Sequence, residues 1–392
     1  MNTKERVKIA VVGVGNMGRL HARDVHELAN TELVAVCDLQ PARADEVAAE
    51  YGIKAYYDYR HLLAEAGLQA ILIATPHYDH TPISIAALLQ GLHVLVEKPI
   101  AVHAQDARRM VEAYERARKA HPDLVFAAMF MQRTYGHYLK IKDLIDSGEL
   151  GRLVRTTWII TDWFRTQIYY DSGGWRATWA GEGGGVLLNQ CPHNLDLYQW
   201  LVGMPDRITG FASIGKYHDI EVEDEVTACF EHDNGMIGHF VTSTAESPGT
   251  NRLEVVGEKG KLVLENERLA FYHNRSSMLR FIEEATGGFD KVENRLCEVP
   301  FQHHGQPGHK LIIENFADAI LSGEVLVAPA VEGLYSVMLG NAIMLSSFLN
   351  KTLQMPIDED LYKKKLMDLV QNSRYQKTTS DVSDVDMTKS FA

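Results

Sequence analysis

The chain has 392 residues, about twice the length of one compact domain, so we expect two domains. Its hydrophobic fraction of 46% and charged fraction of 23% are typical of soluble globular proteins. The formal charge of −13 argues against a nucleic-acid-binding surface and against docking on an anionic membrane. A negatively charged cofactor remains compatible with this charge, because a helix N-terminus binds phosphate locally.

The sequence indicates a cytoplasmic protein. Its N-terminus enters a strand-like run without the apolar stretch and cleavage site of a signal peptide. No segment has the ~20 consecutive apolar residues needed to span a bilayer. Four cysteines lie far apart without a CxxC pair, which is typical of a reduced protein with neither a disulfide framework nor a zinc cluster.

The first part of the chain alternates strand and helix patterns. Strands are predicted at 7–12, 32–38, 54–57, 70–75, 93–97 and 124–131. Helices are predicted between them at 19–29, 41–51, 59–66, 82–90 and 102–119. This alternation predicts a doubly wound parallel sheet of the Rossmann type, and we assign residues 1–124 to it.

The pattern changes in the second part. Strands at 153–161, 208–215, 224–231, 236–244, 253–257 and 260–265 predict a mainly antiparallel sheet. Helices at 185–201 and 311–322 are expected to cover this sheet, with a further helix at 332–349. We assign residues 125–372 to a second α/β domain, and the Ser/Thr/Asp-rich residues 373–392 to a mobile tail.

A glycine-rich turn follows the first strand and opens a helix. It reads Gly13-Val14-Gly15-Asn16-Met17-Gly18, and Asp38 ends the next strand 20 residues after Gly18. This is the spacing of a dinucleotide-binding turn, in which the glycines let the backbone approach a pyrophosphate and the acid binds the ribose diol. Asp38 repels a 2′-phosphate, so we favour NAD over NADP, although Arg43 lies nearby.

Two further elements carry candidate chemistry. Lys98 ends a parallel strand, where α/β sheets bind ligands, and Pro99 restricts its backbone and can support a cis bond. A glycine run then leads into a helix carrying Asn189 and His193, which are four residues apart and so share one face. Asp196 either holds the second ring nitrogen of His193 or packs against the helix surface, and we favour packing.

The ordered motifs GVGNMG, ATPHYDH, VEKP and GGGVLLNQCPHNLD resemble the Gfo/Idh/MocA family, the glucose–fructose oxidoreductase and inositol dehydrogenase group. The resemblance covers about residues 5–350. It implies a Rossmann domain followed by an α/β domain whose open antiparallel sheet forms a dimer or tetramer interface. It also implies bound NAD(P) and a sugar, glycoside or polyol as substrate.

The resemblance carries over to individual residues. Lys98 matches the catalytic lysine and His193 the site histidine, while Asn189 and His77 replace an aspartate and an asparagine of the family. We expect the cofactor to contact Gly13, Gly15, Asn16, Met17, Gly18, Asp38, Thr75, Pro76, His80, Glu97, Lys98, Trp175 and Arg176. We expect the substrate to contact Lys98, Arg133, Trp163, Arg165, Tyr169, Asn189 and His193.

No metal site is predicted. The pair His303-His304 lacks partners at metal-ligand spacing and is interpreted as part of a loop bordering the site.

The favoured function is hydride transfer between a secondary hydroxyl and NAD, with ring C3 of a pyranoside as a candidate position. In this scheme His193 takes the hydroxyl proton and Lys98 stabilises charge on the oxygen. Two alternatives stay open. One is a glycosidase that uses NAD for transient oxidation and elimination, and the other is a non-catalytic NAD- or sugar-binding protein.

Overall fold

The computed structural model describes residues 5–65, 67–303 and 307–377. The first sheet is parallel, with strand order β3-β2-β1-β4-β5-β6. Its strands are β1 (Val7–Val12), β2 (Thr31–Cys37), β3 (Lys54–Tyr56), β4 (Ala70–Ile73), β5 (His93–Val96) and β6 (Phe126–Ala128). The connecting helices are α1 (Asn16–Glu27), α2 (Pro41–Tyr51), α3 (Tyr59–Leu63), α4 (His77–Leu89) and α5 (Ala104–Ala117). The predicted Rossmann-type sheet is confirmed.

Apolar strands fill the centre of this sheet. All four residues of β4 are fully buried, as expected of a parallel strand covered on both faces. Helix α4 begins at His77, before the predicted start at Pro82. Pro82 lies inside the helix, where it removes one backbone hydrogen bond without ending the helix. His77 and His80 therefore lie in the first turn of a helix at the carboxyl edge of the sheet.

The second sheet has the order β14-β13-β12-β11-β7-β10-β9-β8-β15 within the described residues. Its strands are β7 (Leu153–Ile160), β8 (Arg207–Ile214), β9 (Glu223–Glu231), β10 (Ile237–Ser243), β11 (Asn251–Gly257), β12 (Gly260–Glu265), β13 (Arg268–Asn274), β14 (Asn294–Glu298) and β15 (Leu353–Gln354). Every pairing is antiparallel except that of β10 with β7. The mainly antiparallel second sheet is confirmed.

Helices of the second part pack on both sheets. They are α6 (Gly136–Asp146), α7 (Gln167–Asp171), α8 (Pro192–Val202), α9 (Met278–Glu284), α10 (His309–Ser322), α11 (Gly333–Leu349) and α12 (Glu359–Asn372). Helix α11 packs against β8 and α8.

The predicted position of the helix at 311–322 is wrong. Helix α10 packs against α1, β1 and β5 of the first sheet instead. Its buried face includes Ile313 and Phe316, and Lys310 Nζ donates to Glu27 Oε2 of α1 at 2.8 Å. The chain thus returns to the first layer after building the second sheet, while the domain boundary at residues 124 and 125 stays a prediction.

The C-terminal residues are described as far as Lys377. Lys377 Nζ donates to the carbonyl oxygens of Gly173 and Arg176, and Tyr375 Oη donates to Asp219 O at 2.7 Å. The first residues of the predicted mobile tail are therefore hydrogen-bonded to the second part of the chain, and residues 378–392 lie outside the described part. Across the described ranges, no helix has the length and apolarity to cross a membrane.

Candidate active site

The glycine-rich turn joins β1 to α1 and fits a dinucleotide. A Cβ at Gly18 would lie 1.8 Å from Gly13 O, so only glycine allows the helix this close to the strand. A Cβ at Gly15, in contrast, would meet no atom within 4 Å, so the backbone there faces open space. Gly15 is the N-cap of α1 and makes no side-chain cap, and the N-terminus of a helix is suited to bind an anion.

Asp38 lies beside this turn, as predicted. Its Oδ2 accepts a hydrogen bond from Val14 N at 2.9 Å, and its Oδ1 accepts one from Gln40 N at 2.8 Å. These two bonds fix the carboxylate next to the glycines, while Arg43 is exposed on α2. The arrangement fits the ribose diol of NAD and disfavours a 2′-phosphate.

Replacing Asp38 should relax the preference for NAD. In Asp38→Asn the amide oxygen still accepts from Val14 N, but the negative charge that repels a 2′-phosphate is lost. We expect the ratio of kcat/KM for NAD to that for NADP to fall by about tenfold or more. Asp45→Asn, at an exposed position of α2, is the matched control. A ratio that stays at the wild-type value would remove Asp38 from cofactor selection.

Lys98 follows β5 and reaches into the second part of the chain. The Lys98–Pro99 peptide bond is cis. Lys98 Nζ donates to the backbone oxygen of Asn189 at 2.8 Å. Burial lowers the pKa of Lys98, the negative charge of Glu97 opposes this shift, and Arg176 adds to it. The amine is therefore fixed where the two parts of the chain meet.

Glu97, predicted to contact the cofactor, accepts hydrogen bonds from His21 and from the backbone of Lys98. Its Oε1 accepts from His21 Nε2 of α1 at 2.7 Å, and its Oε2 accepts from Lys98 N at 2.9 Å. Burial alone would raise the pKa of Glu97, but the hydrogen bond and charge of His21 lower it below its ordinary value. Both carboxylate oxygens thus bind groups of the chain itself.

The first turn of α4 makes hydrogen bonds around the Lys98–Pro99 segment and to the second part of the chain. His77 Nδ1 donates to Glu182 O at 3.0 Å and so links the two parts of the chain. The ring nitrogens of His80 lie 2.8 Å from Pro99 O and from Thr75 O. The buried Thr75 Oγ1 has no hydrogen-bond partner within the described residues, which leaves a polar atom for a ligand at this predicted cofactor position.

His193 is a buried histidine beside Lys98. Helix α8 begins at Pro192, later than predicted, so Asn189 lies in the preceding turn and its N–H donates to Gly185 O. Neither ring nitrogen of His193 has a partner in the described part of the chain. Burial lowers the pKa of His193 well below its ordinary value, and the charge of Lys98 adds to this shift. The ring is thus a neutral base with free acceptor and donor positions.

Asp196 does not hold His193. Its Oδ1 accepts from Arg133 Nη2 at 2.6 Å and its Oδ2 from Arg133 Nε at 2.7 Å, and Arg133 also pairs with Glu332. Arg133 is only 1% exposed. Because its guanidinium is committed to these carboxylates, we do not assign Arg133 to the substrate, contrary to the sequence prediction.

The Arg133–Asp196 pair should be important for stability. Arg133→Met leaves Asp196 buried without its counter-charge, and the loss of one partner of a buried pair costs about 3–5 kcal/mol. We expect the free energy of unfolding in urea to fall by about that amount. The control is Arg280→Met, which breaks the exposed pair with Glu284 and should change stability far less. Equal losses in the two variants would contradict this role.

Five predicted aromatic and arginine residues form one continuous row. The guanidinium carbon of Arg165 lies 5.5 Å from the Trp163 ring centre and 5.2 Å from that of Tyr169. The guanidinium carbon of Arg176 lies 4.7 Å from the Tyr169 ring centre and 4.6 Å from that of Trp175. We call Trp163, Arg165, Tyr169, Arg176 and Trp175 the aromatic–arginine row.

The row ends beside the first sheet, since the Trp175 ring centre lies 5.2 Å from that of His77. Trp158 and Trp179, in contrast, are buried in the core.

His303 contacts Tyr135, His137 and Phe301, whereas His304 lies outside the described residues. The described residues contain no group of three or more side chains able to hold a metal ion.

Glu182 and His21 are site residues that the sequence prediction missed. Glu182 is 2% exposed and contacts Asn189, and His21 contacts Glu97. The sequence signal for Glu182 as a site residue was a charged residue between two glycines. No sequence signal pointed to His21, because its partner Glu97 lies 76 positions away in the chain.

Both parts of the chain match known families. Residues 7–121 match an oxidoreductase family with an NAD-binding Rossmann fold, and residues 138–263 match the GFO/IDH/MocA C-terminal domain. The scyllo-inositol 2-dehydrogenase (NAD(+)) of Bacillus subtilis is 26% identical over 91% of this chain and 98% of its own length. The inositol 2-dehydrogenase of Rubrobacter xylanophilus is 29% identical over 65% of this chain and 70% of its own.

Solved structures show the same fold. The WlbA dehydrogenase of Chromobacterium violaceum, solved with NADH and UDP-GlcNAcA, is 25% identical with a TM-score of 0.77, covering 91% of this chain and 98% of its own. Levoglucosan dehydrogenase, solved with NADH and levoglucosan, is 22% identical with a TM-score of 0.72, covering 90% of this chain and 100% of its own.

Proposed function

The chain belongs to the Gfo/Idh/MocA family of NAD-binding oxidoreductases, and from this premise we propose that it oxidises a secondary ring hydroxyl of a sugar, glycoside or polyol. The supporting observation is the buried His193 ring, with two unpaired nitrogens, beside the fixed amine of Lys98. A neutral imidazole next to an ammonium group is suited to removing a proton from an oxygen that the ammonium holds.

When bound in this site, NAD would supply the acceptor for the hydride of the carbinol carbon. His193 takes the hydroxyl proton as the C=O bond forms, and its neutral form suits this role. Lys98 donates a hydrogen bond to the same oxygen and stabilises the negative charge that develops there. Asn189 hydrogen-bonds a neighbouring hydroxyl and so orients the ring. Thr75 and the turn from Gly13 to Gly18, with Asp38, hold the dinucleotide.

The aromatic–arginine row supports a pyranoside as the substrate, with oxidation at ring C3. Aromatic faces stack on the apolar faces of a pyranose, and arginines bind its hydroxyls. The buried Nε1 of Trp163 lacks a partner among the described residues and is a donor for such a ring. The relative solved with a sugar nucleotide and those named for inositols act on, or bind, compounds with six-membered rings that carry secondary hydroxyls.

A substrate panel tests this proposal. Pyranosides, free sugars and inositols are assayed for NADH formation, with the oxidised carbon identified by NMR. We expect the highest kcat/KM with a pyranoside, oxidised at C3. Activity confined to inositols or to non-sugar alcohols would contradict the pyranoside. Aglycone release without net NADH would indicate the glycosidase mechanism, and ligand binding without either product would indicate a sensor.

We also propose a homodimer or homotetramer formed through the open face of the second sheet. Phe211 is 66% exposed on β8, and Leu296 is 58% exposed on β14. Exposed apolar side chains on a sheet face favour burial against a second copy.

A cytoplasmic location remains a prediction and agrees with four cysteines that form no disulfide.

A further inference from the structure

A buried carboxylate lies directly behind Asn189, the residue that replaces the aspartate of the family. Glu182 stands between Gly181 and Gly183 and is 2% exposed. Its Oε1 accepts a hydrogen bond from Asn189 Nδ2, and its Oε2 accepts one from Ala177 N at 2.6 Å. Its backbone oxygen accepts from His77 Nδ1 at 3.0 Å. Glu182 is therefore held on three sides, and its position is fixed.

The carboxylate determines which way the Asn189 amide points. A side-chain amide has a donor side and an acceptor side, whereas an ionised carboxylate only accepts. Nδ2 must therefore face Glu182, and Oδ1 faces away from it. The backbone oxygen of Asn189 binds Lys98 Nζ, so the amide is beside the amine of the site.

The pKa of Glu182 is raised by burial, and charged neighbours limit this rise. Burial raises the pKa of Glu182, whereas the guanidinium of Arg176 and the hydrogen bonds from Asn189 and Ala177 oppose this rise. The ammonium of Lys377 acts in the same direction as Arg176. Both oxygens of Glu182 receive N–H donors, an arrangement that an ionised carboxylate satisfies with no donor of its own.

We propose that Glu182 is a positioning residue that turns the Asn189 amide so that Oδ1 accepts a hydrogen bond from a substrate hydroxyl. Asn189 thereby offers the acceptor that an aspartate would offer, without a charge of its own. The negative charge is carried by Glu182, which lies on the far side of Asn189 from the substrate and also polarises the Asn189 amide. This inference rests on the proposed function, because the hydroxyl belongs to the sugar or polyol.

A cycle of three variants tests this orientation. In Glu182→Gln the new amide accepts from Ala177 N and donates to Asn189, so Asn189 turns its NH₂ group toward the substrate. We expect kcat/KM for the best sugar to fall by roughly 10- to 100-fold, with an unchanged dissociation constant for NADH. In Asn189→Asp two carboxylates face each other, and kcat/KM should fall as well.

The double variant Glu182→Gln with Asn189→Asp provides the decisive comparison. The new aspartate accepts from the new glutamine with one oxygen and presents the other to the substrate. We expect kcat/KM to return to within about fivefold of wild type, because one acceptor again faces the hydroxyl. A residue that merely stabilises the fold would give no such recovery. If Glu182→Gln alone fails to fold, the double variant must still exceed Asn189→Asp.

The outcomes separate this inference from the proposed function. Calorimetry measures sugar affinity in the NADH complex of each variant, a readout that needs no turnover. If wild type neither binds nor oxidises any panel compound, the proposed function is wrong and the inference falls with it. If wild type is active but Glu182→Gln keeps its kcat/KM, or the double variant shows no recovery, the orientation by Glu182 is overturned and the function stands.

Discussion

Lys98→Met is expected to lower kcat by about a thousandfold or more while the affinity for NADH stays within about threefold of wild type. Methionine has nearly the length of lysine and fills the same partly buried space, but it can neither hold the reacting oxygen nor stabilise charge on it. The tie to Asn189 O at 2.8 Å is lost as well. Stopped-flow measurement of NADH formation gives kcat, and fluorescence titration gives the NADH affinity.

The matched control is Lys119→Met, since Lys119 is exposed beyond α5. It should keep wild-type kinetics. If Lys98→Met retained more than a tenth of wild-type kcat, Lys98 would have no part in the chemical step. If the variant lost NADH affinity instead, the amine would serve the cofactor rather than the substrate oxygen.

His193→Asn should lower kcat by about a hundredfold to ten-thousandfold, because the amide cannot accept the hydroxyl proton. Burial and the charge of Lys98 lower the pKa of His193 below 6.5. The base form is therefore present above that lowered pKa, and activity is lost as the pH falls through it. In wild type we expect kcat/KM to decline only below pH 6.5, with no inflection at 6.5 itself.

The pH profile separates a base from a structural histidine. In His193→Asn the acid decline of kcat/KM should disappear, and His61→Asn, at an exposed position, should retain it. An acid decline that persists unchanged in His193→Asn would assign the titrating group to another residue. Circular dichroism checks that the variant keeps its fold.

The fold could be predicted from sequence where the signals are local. The apolar run of β1, the glycine turn and the spacing to Asp38 are all read within 32 consecutive residues of β1 to Asp38. The missed strands are β13, β14 and β15 of the second sheet. β14 and β15 lie at its edges, where few side chains are buried and the apolar pattern is weak, and β13 pairs with the edge strand β14. The position of α10 depends on which sheet it meets, and no pattern within the helix specifies that.

The site divides in the same way. Lys98, Asn189 and His193 stand at strand and helix ends that the sequence locates, and the structure brings them together. The partner of Asp196 could not be predicted, because Arg133 lies 63 positions away and the choice depends on tertiary packing. Arg133 consequently belongs to the buried framework rather than to the substrate contacts.

The hydrogen bond from Lys98 to the main chain at Asn189 has a consequence for substrate affinity. A free lysine side chain loses up to ~2 kcal/mol of rotational freedom when it is immobilised. Here that freedom is already lost during folding, so a substrate that meets the amine causes little further ordering. An ammonium group has three N–H donors, so Lys98 can keep its bond to the backbone while another N–H points at the incoming oxygen. The long, flexible side chain thus behaves as a rigid part of the scaffold.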